Sequence, residues 1–168
     1  MNRPQTHEYP IWAETYIKLV DGDVLELLER QAAEFSAFVS DLIEKADYAY
    51  APGKWTLKEL VGHIIDAERV LVYRLTCFVR GDNQMLPGFD EDEYVAYAHF
   101  DERSMLTLSE EFRLLRKSNL YLFKSIQEAD LDRPGNANNK QITVRAMLYV
   151  IAGHITHHTM IIKERYLD

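Results

Sequence analysis

Three histidines have types and spacings that would let them bind one metal ion. His154 and His158 stand four residues apart in VIAGHITHHTMII, and His63 stands alone in WTLKELVGHIIDAERV. Residues four apart share one face of an α-helix, because four steps of about 100° nearly complete a turn. If His63 lies on a facing helix, it completes a three-histidine site. Three protein ligands leave a fourth coordination position open, which is typical of catalytic rather than structural zinc sites.

His157 leaves the identity of the pair open, since residues three apart also share a helix face and His154 could pair with His157 instead. We favour His154 with His158, because Ile151 and Ile161 fall on the same apolar stripe. The histidines could also be ordinary core residues. Buried neutral imidazoles need polar partners, however, and a metal ion would supply one to each.

Periodic apolar residues predict four long helices that would carry these histidines. They cover about residues 23–45, 56–80, 107–129 and 143 to the end of the chain. Thr56 with Glu59, and Thr107 with Glu110, have the spacing of capping boxes at helix starts. Gly81 is placed to end the second helix. No segment has a convincing strand pattern.

A long connection, residues 81–106, separates the second and third helices. Pro87 and Gly88 predict a turn in it, and DEDEYVAYAHF predicts a short helix. A connection of this length favours a crossover rather than a tight turn between neighbouring helices. We therefore expect an all-α four-helix bundle, with residues 1–168 as one domain and residues 1–20 as a loose lead-in.

The composition limits the classes of function. The net charge of −8 gives no electrostatic footprint for nucleic acid. No apolar run approaches the ~20 residues that span a bilayer, and the start of the chain has no signal-peptide pattern, so a cytoplasmic protein without membrane partners is expected. The single cysteine, Cys77, excludes an internal disulfide and is expected to be a small buried thiol.

Two stretches of the chain resemble signatures of the DinB-like family of metalloenzymes. In PGKWTLKELVGHIIDAER, Trp55, Thr56 and His63 match the second-helix signature. TVRAMLYVIAGHITHH is similar to the fourth-helix signature. The length and order of the helices between them also fit, so the resemblance covers about residues 20–168.

The resemblance implies an up-down-down-up bundle that forms a homodimer and holds zinc or nickel. Matched position by position, the metal ligands are His63, His154 and His158. Family members include thiol S-transferases that use bacillithiol, and relatives that use mycothiol or glutathione. One departure is Met160-Ile161, where the family often has Gly-Gln just after the last histidine. This departure leaves the metal ligands intact.

The first hypothesis for function is a metal-dependent enzyme that acts on a small molecule, as a hydrolase or a thiol S-transferase. Metal-bound water or a thiolate would do the chemistry. The thiol would come from a low-molecular-weight cofactor, because Cys77 is not suited to nucleophilic work. The alternatives are a non-catalytic bundle stabilised by its metal and a dimerisation module whose histidines bind none.

Several other residues are weaker candidates for the site. Asp66 and Glu68 could accept a hydrogen bond from a metal-bound histidine, or could pair on the surface with Arg69 or Lys58. His157 could support the site or face the substrate. The arginines that could receive an anionic thiol are Arg69, Arg74 and Arg80. The tyrosines that could line a pocket are Tyr50, Tyr73, Tyr94, Tyr97 and Tyr149.

Overall fold

A computed structural model describes residues 1–167, which form six α-helices and three short strands. The helices are α1 (Glu14–Ile17), α2 (Val24–Ser40), α3 (Leu57–Val79), α4 (Glu91–Tyr97), α5 (Met105–Ser125) and α6 (Val144–Ile161). The strands are β1 (Met85–Leu86), β2 (Pro134–Ala137) and β3 (Lys140–Thr143). A π-helical turn, Ile162–Tyr166, continues α6. The predicted end of the fourth helix at Asp168 lies outside the described residues.

The four predicted long helices are present as α2, α3, α5 and α6. Each of α2 and α3 packs against both α5 and α6, which brings the predicted second and fourth helices side by side. The Thr56–Glu59 capping box opens α3 as expected. α5 begins two residues before the predicted start, and the capping box predicted at Thr107 was wrong, because the Ser104 hydroxyl caps the helix by accepting from the Thr107 amide. The up-down-down-up order of the helices stays a prediction.

A small sheet contradicts the expectation of an all-α fold. Strands β2 and β3 form an antiparallel hairpin, and β1 lies parallel to β2. The hairpin turns at Asn138 and Asn139, whose φ values of 49° and 57° suit a type I′ turn. Gly135 lies so close to Phe78 of α3 that a Cβ would stand 2.0 Å from the ring. The sheet escaped prediction because the sequence PGNA of β2 has no alternating apolar pattern.

The first 20 residues pack against the bundle, which corrects the expectation of a loose lead-in. Ile17 and Val20 are buried in one of the two apolar clusters of the core. α1 lies directly on α6 at Gly153, where a Cβ would stand 2.1 Å from the Tyr16 carbonyl oxygen. Glycine is therefore required just before His154. The close approach of the two helices places Tyr16 next to His154.

A layer of polar side chains crosses the bundle between the two apolar clusters. The Nε and NH2 groups of Arg116 each donate to the Glu68 carboxylate at 2.6 Å, and its NH1 donates to the Gln31 side-chain oxygen at 2.8 Å. The Gln31 amide in turn donates to the Ala152 carbonyl at 2.8 Å. The chain of hydrogen bonds therefore joins α2, α3, α5 and α6.

Two expectations from the composition, on membrane spans and on Cys77, can be compared with the structure. No helix within residues 1–167 is long and apolar enough to cross a membrane. Cys77 is half-buried, whereas a fully buried thiol was expected. It packs against one of the two apolar clusters of the core.

We expect Arg116→Met to lower the free energy of unfolding by about 3–5 kcal/mol, because it leaves the Glu68 carboxylate buried without its partner. Replacing both partners, as in Glu68→Leu/Arg116→Met, should recover most of that loss. Urea denaturation of the three proteins measures both effects. A single variant within about 1 kcal/mol of the parent would contradict a structural role for the pair.

Candidate metal centre

His63 of α3 and His154 and His158 of α6 converge at one point in the bundle. One ring nitrogen from each histidine lies within 4.8 Å of a nitrogen of each of the other two. The Nε2 atoms of His154 and His158 are 3.0 Å apart. The ring centroid of His63 is 5.3 Å from that of His154 and 5.1 Å from that of His158. All three side chains are buried. His157 is half-buried and is not part of this group.

Aromatic side chains pack against two of the three histidine rings. Trp55 lies against His63 with ring centroids 4.9 Å apart, and its carbonyl accepts a hydrogen bond from the Tyr166 hydroxyl. Tyr16 of α1 contacts His154 from the other side, with centroids 5.6 Å apart. The histidines are thus held by the segment before α3, by the π-helical turn after α6 and by the N-terminal segment.

Burial keeps the three imidazoles neutral. It lowers the pKa of His63, against which the charges of Glu91 and Asp92 act in the opposite direction. Burial also lowers the pKa of His158 to about 3, with His63 and His157 adding to the effect. The pKa of His154 lies well below its ordinary value, through burial first and then the neighbouring histidines and Arg116. Neutral imidazoles have the free lone pairs that a metal ion needs.

The chemistry of this donor set fits a divalent metal ion. Tetrahedral zinc with bonds of about 2.0–2.1 Å places its ligand nitrogens about 3.3 Å apart, close to the 3.0 Å between the Nε2 atoms of His154 and His158. Nδ1 of His158 is buried and has no hydrogen-bond partner among the described residues. Three buried imidazoles with so few polar contacts gain more from a shared cation than from one another.

The histidines open onto a cavity of about 350 Å³ between α3 and α6. Its aromatic wall consists of Trp12, Tyr16, Trp55 and Phe89. Its apolar wall consists of Ala67, Leu71, Ile142, Met147 and Val150. A small number of polar groups among apolar walls, at this volume, is typical of a small-molecule site.

The carboxylates proposed from sequence to support the histidines form hydrogen bonds and ion pairs elsewhere. Glu68 is held by Arg116 and Asn119 in the polar layer. Asp66 pairs with Arg69 at the surface, which was the alternative reading of that residue. Neither carboxylate hydrogen-bonds a histidine.

Of the arginines and tyrosines proposed from sequence, only one arginine lines the cavity. Arg74 lines the cavity, whereas Arg69 pairs with Asp66 and Glu111 and Arg80 is exposed. None of the five tyrosines proposed from sequence lines this cavity. Tyr50 borders His158 from an adjoining depression, and Tyr149 is buried in the core.

Four polar residues of the cavity were missed by sequence reasoning: Asn138 and Lys140 of the hairpin, and Tyr16 and Glu91. Burial, and secondarily the charge of Glu91, raises the pKa of the Tyr16 phenol, so that it stays protonated. Glu91 opens α4 in the long connection. The acidic run DEDE suggested only a helix start, and no local signal pointed Tyr16 or Glu91 towards the histidines.

A comparison with protein families identifies the family to which the chain belongs. Residues 24–162 match the profile of the DinB superfamily, and the chain belongs to that family. A protein of Bacillus mycoides is 23% identical over 160 residues, covering 90% of each chain. One of Oceanobacillus iheyensis is 22% identical over 116 residues, covering 68% of this chain and 67% of the relative. Both bear the name "Putative metal-dependent hydrolase".

A solved structure supports the fold. YfiT from Bacillus subtilis superimposes with a TM-score of 0.74 at 16% identity, covering 84% of this chain and 82% of YfiT. It is described as "a probable metal-dependent hydrolase with an unusual four-helix bundle topology". At this identity the likeness concerns the fold, and it supports the four-helix bundle expected from sequence.

The depressed histidine pKa values predict how the stability of the metal-free protein depends on pH. Below pH 6.5 the unfolded chain takes up a proton at His158 that the folded chain refuses until the pH reaches about 3. The free energy of unfolding should therefore decrease as the pH is lowered from 6.5 to about 3. The decrease should be up to about 1.4 kcal/mol per pH unit for each such histidine.

Urea denaturation in the presence of EDTA, at a series of pH values across this window, measures the slope. His158→Gln is the matched variant, since it removes one titrating group and leaves the acidic residues unchanged. Its slope should be shallower than that of the parent. Parallel curves for the two proteins would contradict a neutral, buried His158.

Proposed function

We propose that this protein is a divalent-metal-dependent enzyme that acts on a small molecule, with His63, His154 and His158 as the metal ligands. The observation that carries the proposal is the convergence of three neutral imidazoles on one wall of an aromatic cavity. A divalent ion held there, zinc or nickel by the family resemblance, supplies Lewis-acid chemistry that activates water or a thiol at neutral pH. The names of the relatives favour a hydrolase.

The residues around the histidines have the properties that hydrolysis needs. Glu91 is an exposed carboxylate on the cavity wall, and its charge reaches both His63 and Tyr16. We assign it the role of a general base that accepts the proton of the attacking nucleophile. The protonated Tyr16 phenol is an O–H donor suited to an oxyanion that develops on the substrate. Trp12 and Trp55 line the cavity beside them.

Thiol S-transfer is the second candidate, and Arg74 is the observation that favours it. A buried arginine in the cavity suits an anionic thiol cofactor. Cys77, the single cysteine of the chain, does not line the cavity, so the thiol would have to be a small molecule. The homodimer and the cytoplasmic location expected from sequence stay predictions.

The first test is metal-dependent turnover. We expect the zinc- or nickel-loaded protein to hydrolyse members of a panel of small esters, amides and lactones, and His158→Ala to abolish that activity. A parallel assay follows transfer of a low-molecular-weight thiol to chlorodinitrobenzene, which separates the two reactions. A loaded protein that is inactive in both assays, yet is stabilised by the metal, would instead support a bundle with a structural ion.

The general base gives a sharper test. Glu91→Gln should lower kcat by about 10²- to 10⁴-fold, because the amide cannot accept the proton. Metal content should be unchanged, since Glu91 is not one of the three ligands. Glu93→Gln is the matched control, because Glu93 is exposed on the same helix but does not line the cavity. Equal activities for the two variants would exclude the role given to Glu91.

A further inference from the structure

Within residues 1–167, Arg74 is a buried cation without an anionic partner. It is 8% exposed, and its NH2 group donates to the Pro87 carbonyl at 2.7 Å. No carboxylate within residues 1–167 forms an ion pair with it, whereas the other buried arginine, Arg116, binds Glu68 through two hydrogen bonds. The chain has 27 acidic residues against 19 basic ones, so acidic partners are plentiful. An unpaired buried charge is costly, which indicates that something else supplies the anion.

The surroundings of Arg74 separate it from the histidines by an apolar stretch. His63, Ala67, Leu71 and Arg74 all line the cavity from one face of α3, and the first and last are about 16 Å apart along the helix axis. The guanidinium lies over the Phe89 ring, 5.8 Å from its centroid. Burial lowers the pKa of Arg74, with Tyr94 acting in the opposite direction.

The hairpin adds polar groups to the same cavity. Lys140 and Asn138 line it, and Asn138 lies against Gly88, next to Phe89. The cavity therefore has apolar walls, a cluster of neutral histidines on α3 and α6, one carboxylate on α4, and cationic groups on the hairpin and further along α3.

We propose that the cavity binds a molecule with an anionic group held by Arg74, an apolar middle, and a reacting bond placed at the three histidines. One of the five guanidinium N–H donors is used by Pro87. The others can hold a carboxylate or a phosphate through two parallel hydrogen bonds. The inference rests on the proposed function, because that function places the reacting bond at the histidines.

The test compares ligands that differ only at the end facing Arg74. The probes are ω-carboxyalkyl hydroxamates of graded chain length, their neutral methyl-terminated counterparts and the matching ω-phosphono compounds. The hydroxamate binds the metal, and the other end reaches along the cavity. Calorimetric titration of the zinc-loaded, full-length protein should show the best-fitting anionic probe binding about 10- to 100-fold more tightly than its neutral counterpart. The phosphono compounds decide between the two anions.

The variants are Arg74→Met and, as matched control, Arg80→Met, which removes an exposed arginine at the end of the same helix. Only Arg74→Met should abolish the preference for the anionic probe. Equal affinities of charged and neutral probes in the parent would overturn the proposal, and this comparison does not depend on how any variant folds. A preference that survives in Arg74→Met would overturn it too.

Failure of the metal site gives a different result. In that case no hydroxamate binds, and metal-free protein is titrated with octanoate and octanamide. Octanoate binding that depends on Arg74 would keep the anion site while the proposed function fails. The absence of any difference between octanoate and octanamide would remove the anion site as well.

Discussion

The buried ion pair between Arg116 and Glu68 is the contact on which the geometry of the histidines depends. Through Gln31 it reaches the backbone of α6 at Ala152, two residues before His154, and so fixes α6 relative to α3. A pair this deep is costly unless its hydrogen bonds are satisfied, and Asn119, Gln31 and the Leu28 carbonyl satisfy them. The same positive charge also helps to keep His154 neutral. The polar layer thus fixes α6 relative to α3 and adds to the burial that keeps His154 neutral.

The site assembles from parts of the chain that are far apart in sequence. Gly153 lets α1 lie against α6, so that Tyr16 reaches His154. The long connection brings Glu91 to one wall of the cavity, and the hairpin brings Asn138 and Lys140 to it. Two of the four long helices, α3 and α6, supply the three histidines and Arg74, while the segments outside the bundle supply the other polar groups. Loops and termini on a rigid scaffold commonly carry such specificity.

Local patterns in the sequence were enough to predict the long helices and the pairing of His154 with His158. Both depend on helical periodicity. The apolar stripe through Ile151 and Ile161 favoured His158 over His157 as the histidine that faces the core with His154. The hairpin, the packing of the N-terminal segment and the roles of Arg116 and Glu68 depend on contacts between residues tens of positions apart. No local pattern encodes those contacts. Arg69 and Arg74 illustrate the limit, since the sequence indicates only that both are charges on one helix. The fold shows that Arg69 has two acidic partners, whereas Arg74 has none in the part of the chain that the structure describes.

The most direct test of the central claim is the metal content of the purified, untagged protein, measured by elemental mass spectrometry. Three buried, neutral imidazoles that converge on one point should hold about one zinc or nickel ion per chain. His157→Ala should keep that ion, and His63→Ala and His158→Ala should lose it. No bound metal in the parent, even after incubation with zinc or nickel, would contradict the account, and so would an equal loss in His157→Ala.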